Sequence, residues 1–152
     1  MQINHLPSKY PKVFLTIAII VLTLLIVATV CDFRTREIPD WICIAIAIVA
    51  VISASTGWLG IGLVLVAIGG VVGLTIGYLL FRFAKLGGGD AKLIAALGML
   101  VGPVGLFIVL FGMAVAGGVL SLVAMLRGQR DYAYVPAITA GFIGYVAVVS
   151  IR

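Results

Sequence analysis

Four runs of this chain carry no charged residue: Val13–Cys31, Trp41–Phe81, Leu93–Leu126 and Tyr132–Ile151. The first and last are about 20 residues each, the length at which a helix rising 1.5 Å per residue crosses the hydrocarbon of a bilayer. The second is roughly twice that and must reverse, and the small, polar, glycine-rich stretch Ser53–Gly60 supplies the turn signals. Trp41 and Trp58 then stand about 26 Å apart along one helix, near opposite interfaces, where tryptophan is enriched. The third run is also too long for one crossing, and Gly102-Pro103 is its expected break. The expectation is an all-α, polytopic membrane protein. It has six helices, at about 13–31, 41–57, 60–83, 90–102, 104–126 and 134–151, the fourth of them short.

Composition agrees. Apolar residues make up 64% of the chain and charged ones 10%, against about 45–50% and 25% in globular proteins. Five acids, ten Lys or Arg and one His cannot coat a water-soluble fold. This excludes a disordered chain, a disulfide scaffold and a soluble enzyme. The net charge of +5 is spread over short loops rather than gathered into a patch, which argues against nucleic acid as a partner. Cys31 and Cys43 are too few for a zinc site, and no metal is expected.

Lys and Arg near the span ends set the orientation. Arg34, Arg36, Arg82, Lys85, Lys92, Arg127 and Arg130 share one side; Lys9, Lys12 and Arg152 lie on the other. The larger group is expected to be cytoplasmic, with both termini outside. The first run has the basic start and apolar core of a signal peptide, but Val30 is a poor residue for a cleavage site. An uncleaved span is the better reading. Glycines recur at four-residue spacing at Gly69, Gly73 and Gly77, and again at Gly98 and Gly102. Ala137 with Gly141, and Ala140 with Gly144, repeat the interval. Such stripes let helix backbones approach closely in lipid and describe a compact bundle rather than a function. No internal repeat or linker is present, so residues 1–152 read as one membrane-embedded domain.

Acids are few enough to weigh singly. Glu37, Asp40 and Asp131 fall in polar loops, where solvation explains them. Asp32 directly follows an apolar helix and Asp90 directly precedes one, both on the cytoplasmic side. The span from Asp90 to Gly102 is only about 20 Å long against roughly 30 Å of hydrocarbon, so either the bilayer thins or Asp90 starts below the surface. An ionisable group at that depth is by default a functional hypothesis. Taken singly, Asp90 as a helix cap and Asp32 as a partner of Arg34 or Arg36 are sufficient explanations. Together, the two suit one chemistry: close carboxylates do not both ionise, so one can activate water while the other donates a proton. No metal, cofactor or covalent intermediate is needed.

Asp32–Trp41, D-F-R-T-R-E-I-P-D-W, resembles the first catalytic block of the type IV prepilin peptidases. Gly87–Leu93, G-G-G-D-A-K-L, is similar to their second block, G-x-G-D-x-K-L. Val135–Gly141, V-P-A-I-T-A-G, is similar to the proline-containing segment that opens their last helix. The blocks occur in family order across nearly the whole chain. The resemblance implies a G-x-G-D aspartic endopeptidase of the plasma membrane, with its active site on the cytoplasmic side. Its substrate would be a small pilin precursor with a short basic leader, cut just before the hydrophobic helix. Asp32 and Asp90 would form the catalytic pair. Gly87, Gly88 and Gly89 would form an active-site loop, with Gly87 and Gly89 supplying backbone freedom. Lys92 would stabilise a carboxylate, contact lipid phosphate or act as a basic anchor. Pro136 would belong to a substrate-facing turn.

The chain resembles the short form found with Flp-type, tight-adherence pili. Twelve residues precede the first span and no Cys-x-x-Cys pair is present, so no methyltransferase region, zinc or methyl donor is expected. Lipid is the expected surround, with a homodimer as an option. A presenilin-like protease shares G-x-G-D but is disfavoured by Cys31 before the first aspartate. A non-catalytic assembly subunit or small transporter would explain the glycine faces and the acids, but not the coincidence of three blocks.

Overall fold

The computed structural model describes residues 11–35, 37–84, 87–126 and 135–151. Lys9, Arg36, Lys85, Arg127, Arg130, Asp131 and Arg152, singled out above, lie outside them. Five α-helices form the described chain: α1 Pro11–Thr35, α2 Asp40–Ser55, α3 Leu63–Ala84, α4 Gly88–Leu126 and α5 Val135–Ser150. No strand occurs among the described residues. By length and composition Lys12–Thr35, Leu63–Phe83 and Gly88–Val123 are each able to cross a membrane, while α2 and α5 are shorter apolar helices.

The expected six separate helices become five because the fourth and fifth run together. Their boundary falls at Gly102, as its sequence suggests, but occupies a single residue with φ 70° and ψ 175°. Only glycine visits that region readily, and Pro103 sits next to it in the first turn of the second limb, where a missing N–H is harmless. The chain folds back there. Gly98 is packed against the Leu106 side chain, with only 3.1 Å from a built Cβ to Leu106 Cδ2, whereas eight residues of straight helix would span about 12 Å.

Helix ends follow local chemistry. Pro39, with φ −61° and ψ 128°, stands outside α2, and the Ile42 N–H bonds its carbonyl as α2 begins. At the other end Gly57 takes φ 68°, and the N–H groups of Gly57 and Trp58 return to the carbonyls of Ala54 and Ser53. That is a Schellman close, which satisfies carbonyls a helix end leaves open.

Packing centres on the first limb of α4, where Leu93, Ile94, Leu97 and Leu100 are all buried. α3 lies against it backbone to backbone. Gly69 meets the Gly98 carbonyl, a Cβ at Gly73 would come 2.8 Å from the Ile94 carbonyl, and one at Gly77 would come 2.8 Å from that of Ala91. The second limb packs on α5 through Gly112 and Gly141. Of the two stripes on α5, the one carrying Gly141 is therefore used; a Cβ on Gly144 would meet open space. The α1 backbone runs closest to α5 and α2, and it approaches α4 through side chains, Phe14, Ile17 and Ala18 lining a small cavity with Leu100 and Val101. The outer faces carry large apolar side chains, including Val64, Val71, Tyr78, Val104, Phe107 and Phe111. Continuous apolar surface on that scale is stable in lipid and not in water. The protein is an integral membrane protein.

Candidate active site

Asp32 lies in the last turn of α1 and Asp90 in the first turn of α4. The α1 end is closed by Thr35, whose hydroxyl donates to the Cys31 carbonyl at 2.9 Å. The stretch Glu37 to Pro39 leads into α2. Its middle residue, Ile38, is buried and touches the glycine loop: a Cβ on Gly89 would stand 3.0 Å from Ile38 Cβ. The two aspartate-bearing segments are thus in direct contact.

Gly87 is the N-cap of α4, since its carbonyl accepts the Ala91 N–H at 3.2 Å. Asp90 is therefore the third residue of the helix rather than the cap itself. Its Oδ2 accepts the Gly87 N–H at 3.2 Å, the returning half of a capping box in which glycine has no side chain to complete the other half. Asp90 is only 6% exposed, and its Oδ1 is buried with no protein hydrogen-bond partner among the described residues. One oxygen serves the helix and the other is uncommitted. A buried polar atom left this way calls for an explanation, and catalysis is one. Asp32 is half-buried, and the charges of Asp32 and Asp90 act on each other.

The three glycines do not supply unusual dihedrals. Positive φ angles among the described glycines belong to Gly57, Gly60 and Gly102. Glycine is needed here for space. A Cβ on Gly87 would stand 3.1 Å from Asp90 Oδ2, and one on Gly89 would press into Ile38. Gly88 has room, with Phe81 no nearer than 4.0 Å.

Lys92 pairs with a third aspartate. Its Nζ donates to Asp40 Oδ1 at 2.8 Å and Oδ2 at 3.0 Å, tying α4 to the first turn of α2. Asp40, read from sequence as a solvated loop acid, is therefore the residue that sequence reasoning passed over. The signal for it was an acid and a base, one in each catalytic-block lookalike, with no local partner. Pro136 is half-buried in the first turn of α5, not in a turn before it. Thr29 of α1 bonds Thr139 of α5 at 3.1 Å. From that crossing the antiparallel register puts Asp32 and Pro136, each three residues further on, at the same level. No cluster of His, Cys, Asp and Glu able to hold a metal occurs among the described residues.

A preflagellin peptidase of Methanococcus maripaludis is 41% identical to this chain over 81 residues, covering 51% of the chain and 35% of that protein. The chain thus spans about a third of the length of the curated relative it matches. No solved structure matches it. The sequence model of the type IV leader peptidase family matches residues 19–122, a stretch that contains both aspartates, the glycine loop and Lys92. With well over half of its length matched, the chain belongs to the type IV leader peptidase family.

Proposed function

We propose that this protein is an aspartic endopeptidase that removes the short basic leader from pilin-like precursors, of the Flp type, at the cytoplasmic face of the plasma membrane. The observation that carries the reading is the divided state of Asp90. Oδ2 is held by the Gly87 N–H while Oδ1 stays buried with no hydrogen-bond partner among the described residues, within electrostatic reach of Asp32. One carboxylate takes a proton from water as its oxygen attacks the scissile carbonyl carbon. The other carboxyl gives its proton to the carbonyl oxygen; as the tetrahedral intermediate collapses it takes a hydroxyl proton back, and the proton drawn from water passes to the leaving amine. Either aspartate can fill either role, because a coupled pair titrates as a unit. The basic residues flanking the spans support a cytoplasmic site, with both termini outside. Family membership and the preflagellin peptidase relative support a pilin-like substrate.

The test is co-expression with a Flp-type prepilin, followed on a gel as precursor shifting to product. Asp32→Asn and Asp90→Asn each abolish processing while the protein still inserts. Processing at the wild-type rate in either variant would sink the assignment.

A further inference from the structure

Asp32 is mounted indirectly. The α1 backbone runs closest to α5 and α2, and among the described residues it nowhere comes as near to the backbone of α4, which carries Asp90. The height and rotation of Asp32 against Asp90 are therefore set by how α1 is held on its neighbours. One turn before Asp32, the Thr29 hydroxyl lies 3.1 Å from the Thr139 hydroxyl of α5. Each threonine also reaches its own preceding turn, Thr29 to the Leu25 carbonyl at 2.8 Å and Thr139 to the Val135 carbonyl at 3.0 Å. Two hydroxyl hydrogens serve these three contacts, so at any instant one threonine donates across the interface while the other donates to its own helix. Val21, Leu25 and Ala28 on α1 and Ile138 and Phe142 on α5 are buried apolar side chains. They pack by shape and offer no directional bond. The hydroxyl pair adds one, which is satisfied only at a particular height and rotation of α1 on α5.

We propose that Thr29 and Thr139 form a polar clamp that sets the register of α1 on α5 and so holds Asp32 opposite Asp90. They are positioning residues for the catalytic pair, acting through α1. The inference rests on the aspartic peptidase reading, and its test includes a measurement that does not need catalysis. Thr29→Val and Thr139→Val keep shape and remove the hydroxyl; Thr29→Ser and Thr139→Ser keep the hydroxyl and remove a methyl.

In purified protein with a prepilin substrate, each Val variant lowers kcat roughly tenfold or more with KM unchanged, because small misplacements of reacting groups are costly. Each Ser variant restores most of the rate, and the double Val variant is no worse than either single one. The second measurement places Asp32→Cys with Asp90→Cys in a chain lacking Cys31 and Cys43, and reads the yield of a short bifunctional thiol cross-linker. Adding Thr29→Val lowers that yield several-fold and adding Thr29→Ser does not. An unchanged yield with Thr29→Val, or Ser variants that fare worse than Val variants, overturns the clamp. If the wild-type protein cuts no prepilin, the peptidase reading fails, while the cross-linking yield still decides whether the clamp exists.

Discussion

Lys92 Nζ sits 2.8 Å from Asp40 Oδ1, bridging the start of α4 to the first turn of α2. The residues are 52 positions apart, and each belongs to one of the two aspartate-bearing segments. The acid also lies at the N-terminus of α2, where the helix dipole favours it. Both side chains are more than half exposed, at 56% and 65%, so water and salt screen the pair. Lys92→Met is therefore expected to leave the melting temperature in detergent nearly unchanged, with the small difference disappearing in high salt. The exchange Asp40→Lys with Lys92→Asp is expected to recover part of what either single change loses in precursor processing. A large stability loss in Lys92→Met would show that the pair is less solvated than its exposure indicates.

Gly88 and Gly89 are adjacent but differ in what surrounds them. A Cβ on Gly89 would stand 3.0 Å from Ile38 Cβ and 3.4 Å from the Ile38 backbone nitrogen, atoms that cannot rotate away. Gly89→Ala should cost about 1–3 kcal/mol through overpacking and displace the passage behind Asp32. Gly88→Ala should change stability by no more than about 0.5 kcal/mol, since its Cβ meets only Phe81 at 4.0 Å. Thermal unfolding of the two variants side by side checks this.

The two oxygens of Asp90 can be separated by substitution. Asp90→Asn keeps an acceptor for the Gly87 N–H and removes charge from a buried site, so it should be inactive yet at least as stable as the parent. Asp90→Ala loses the acceptor as well, and should be inactive and less stable than Asp90→Asn by about 0.5–1.5 kcal/mol, the net worth of one hydrogen bond. Comparing unfolding of the two distinguishes the helix-starting role from the catalytic one.

Gly102 holds φ 70° and ψ 175° at the fold-back of α4. A Cβ there would have space, with Ile61 no nearer than 3.9 Å. Gly102→Ala should thus be penalised by backbone strain alone, about 1–3 kcal/mol. Gly69→Ala fails for the opposite reason, because its backbone is unremarkable and its Cβ would enter the Gly98 carbonyl. Abundance in the membrane and melting temperature should fall for both, and should hold for Gly144→Ala, whose Cβ meets open space.

What the sequence determined by itself is whatever a short stretch of chain decides locally. Uncharged runs of this length make helices in lipid because a helix satisfies its backbone groups within the one segment. Gly102-Pro103 marks a break because its backbone demands are local, and Gly69, Gly73 and Gly77 mark a close-packing face because their spacing alone aligns them. Asp32 and Asp90 were legible as acids at helix ends. The tertiary structure decided what each of these residues meets. It gave Lys92 the Asp40 carboxylate, gave Gly89 the side of Ile38, divided the oxygens of Asp90 between a helix start and an uncommitted site, and laid the α1 backbone nearest to α5 and α2. It also chose one of two equivalent small-residue stripes on α5. Which faces meet depends on the shape of the whole bundle, and in lipid that choice follows packing and a few directional bonds rather than hydrophobicity, which is the same on every side.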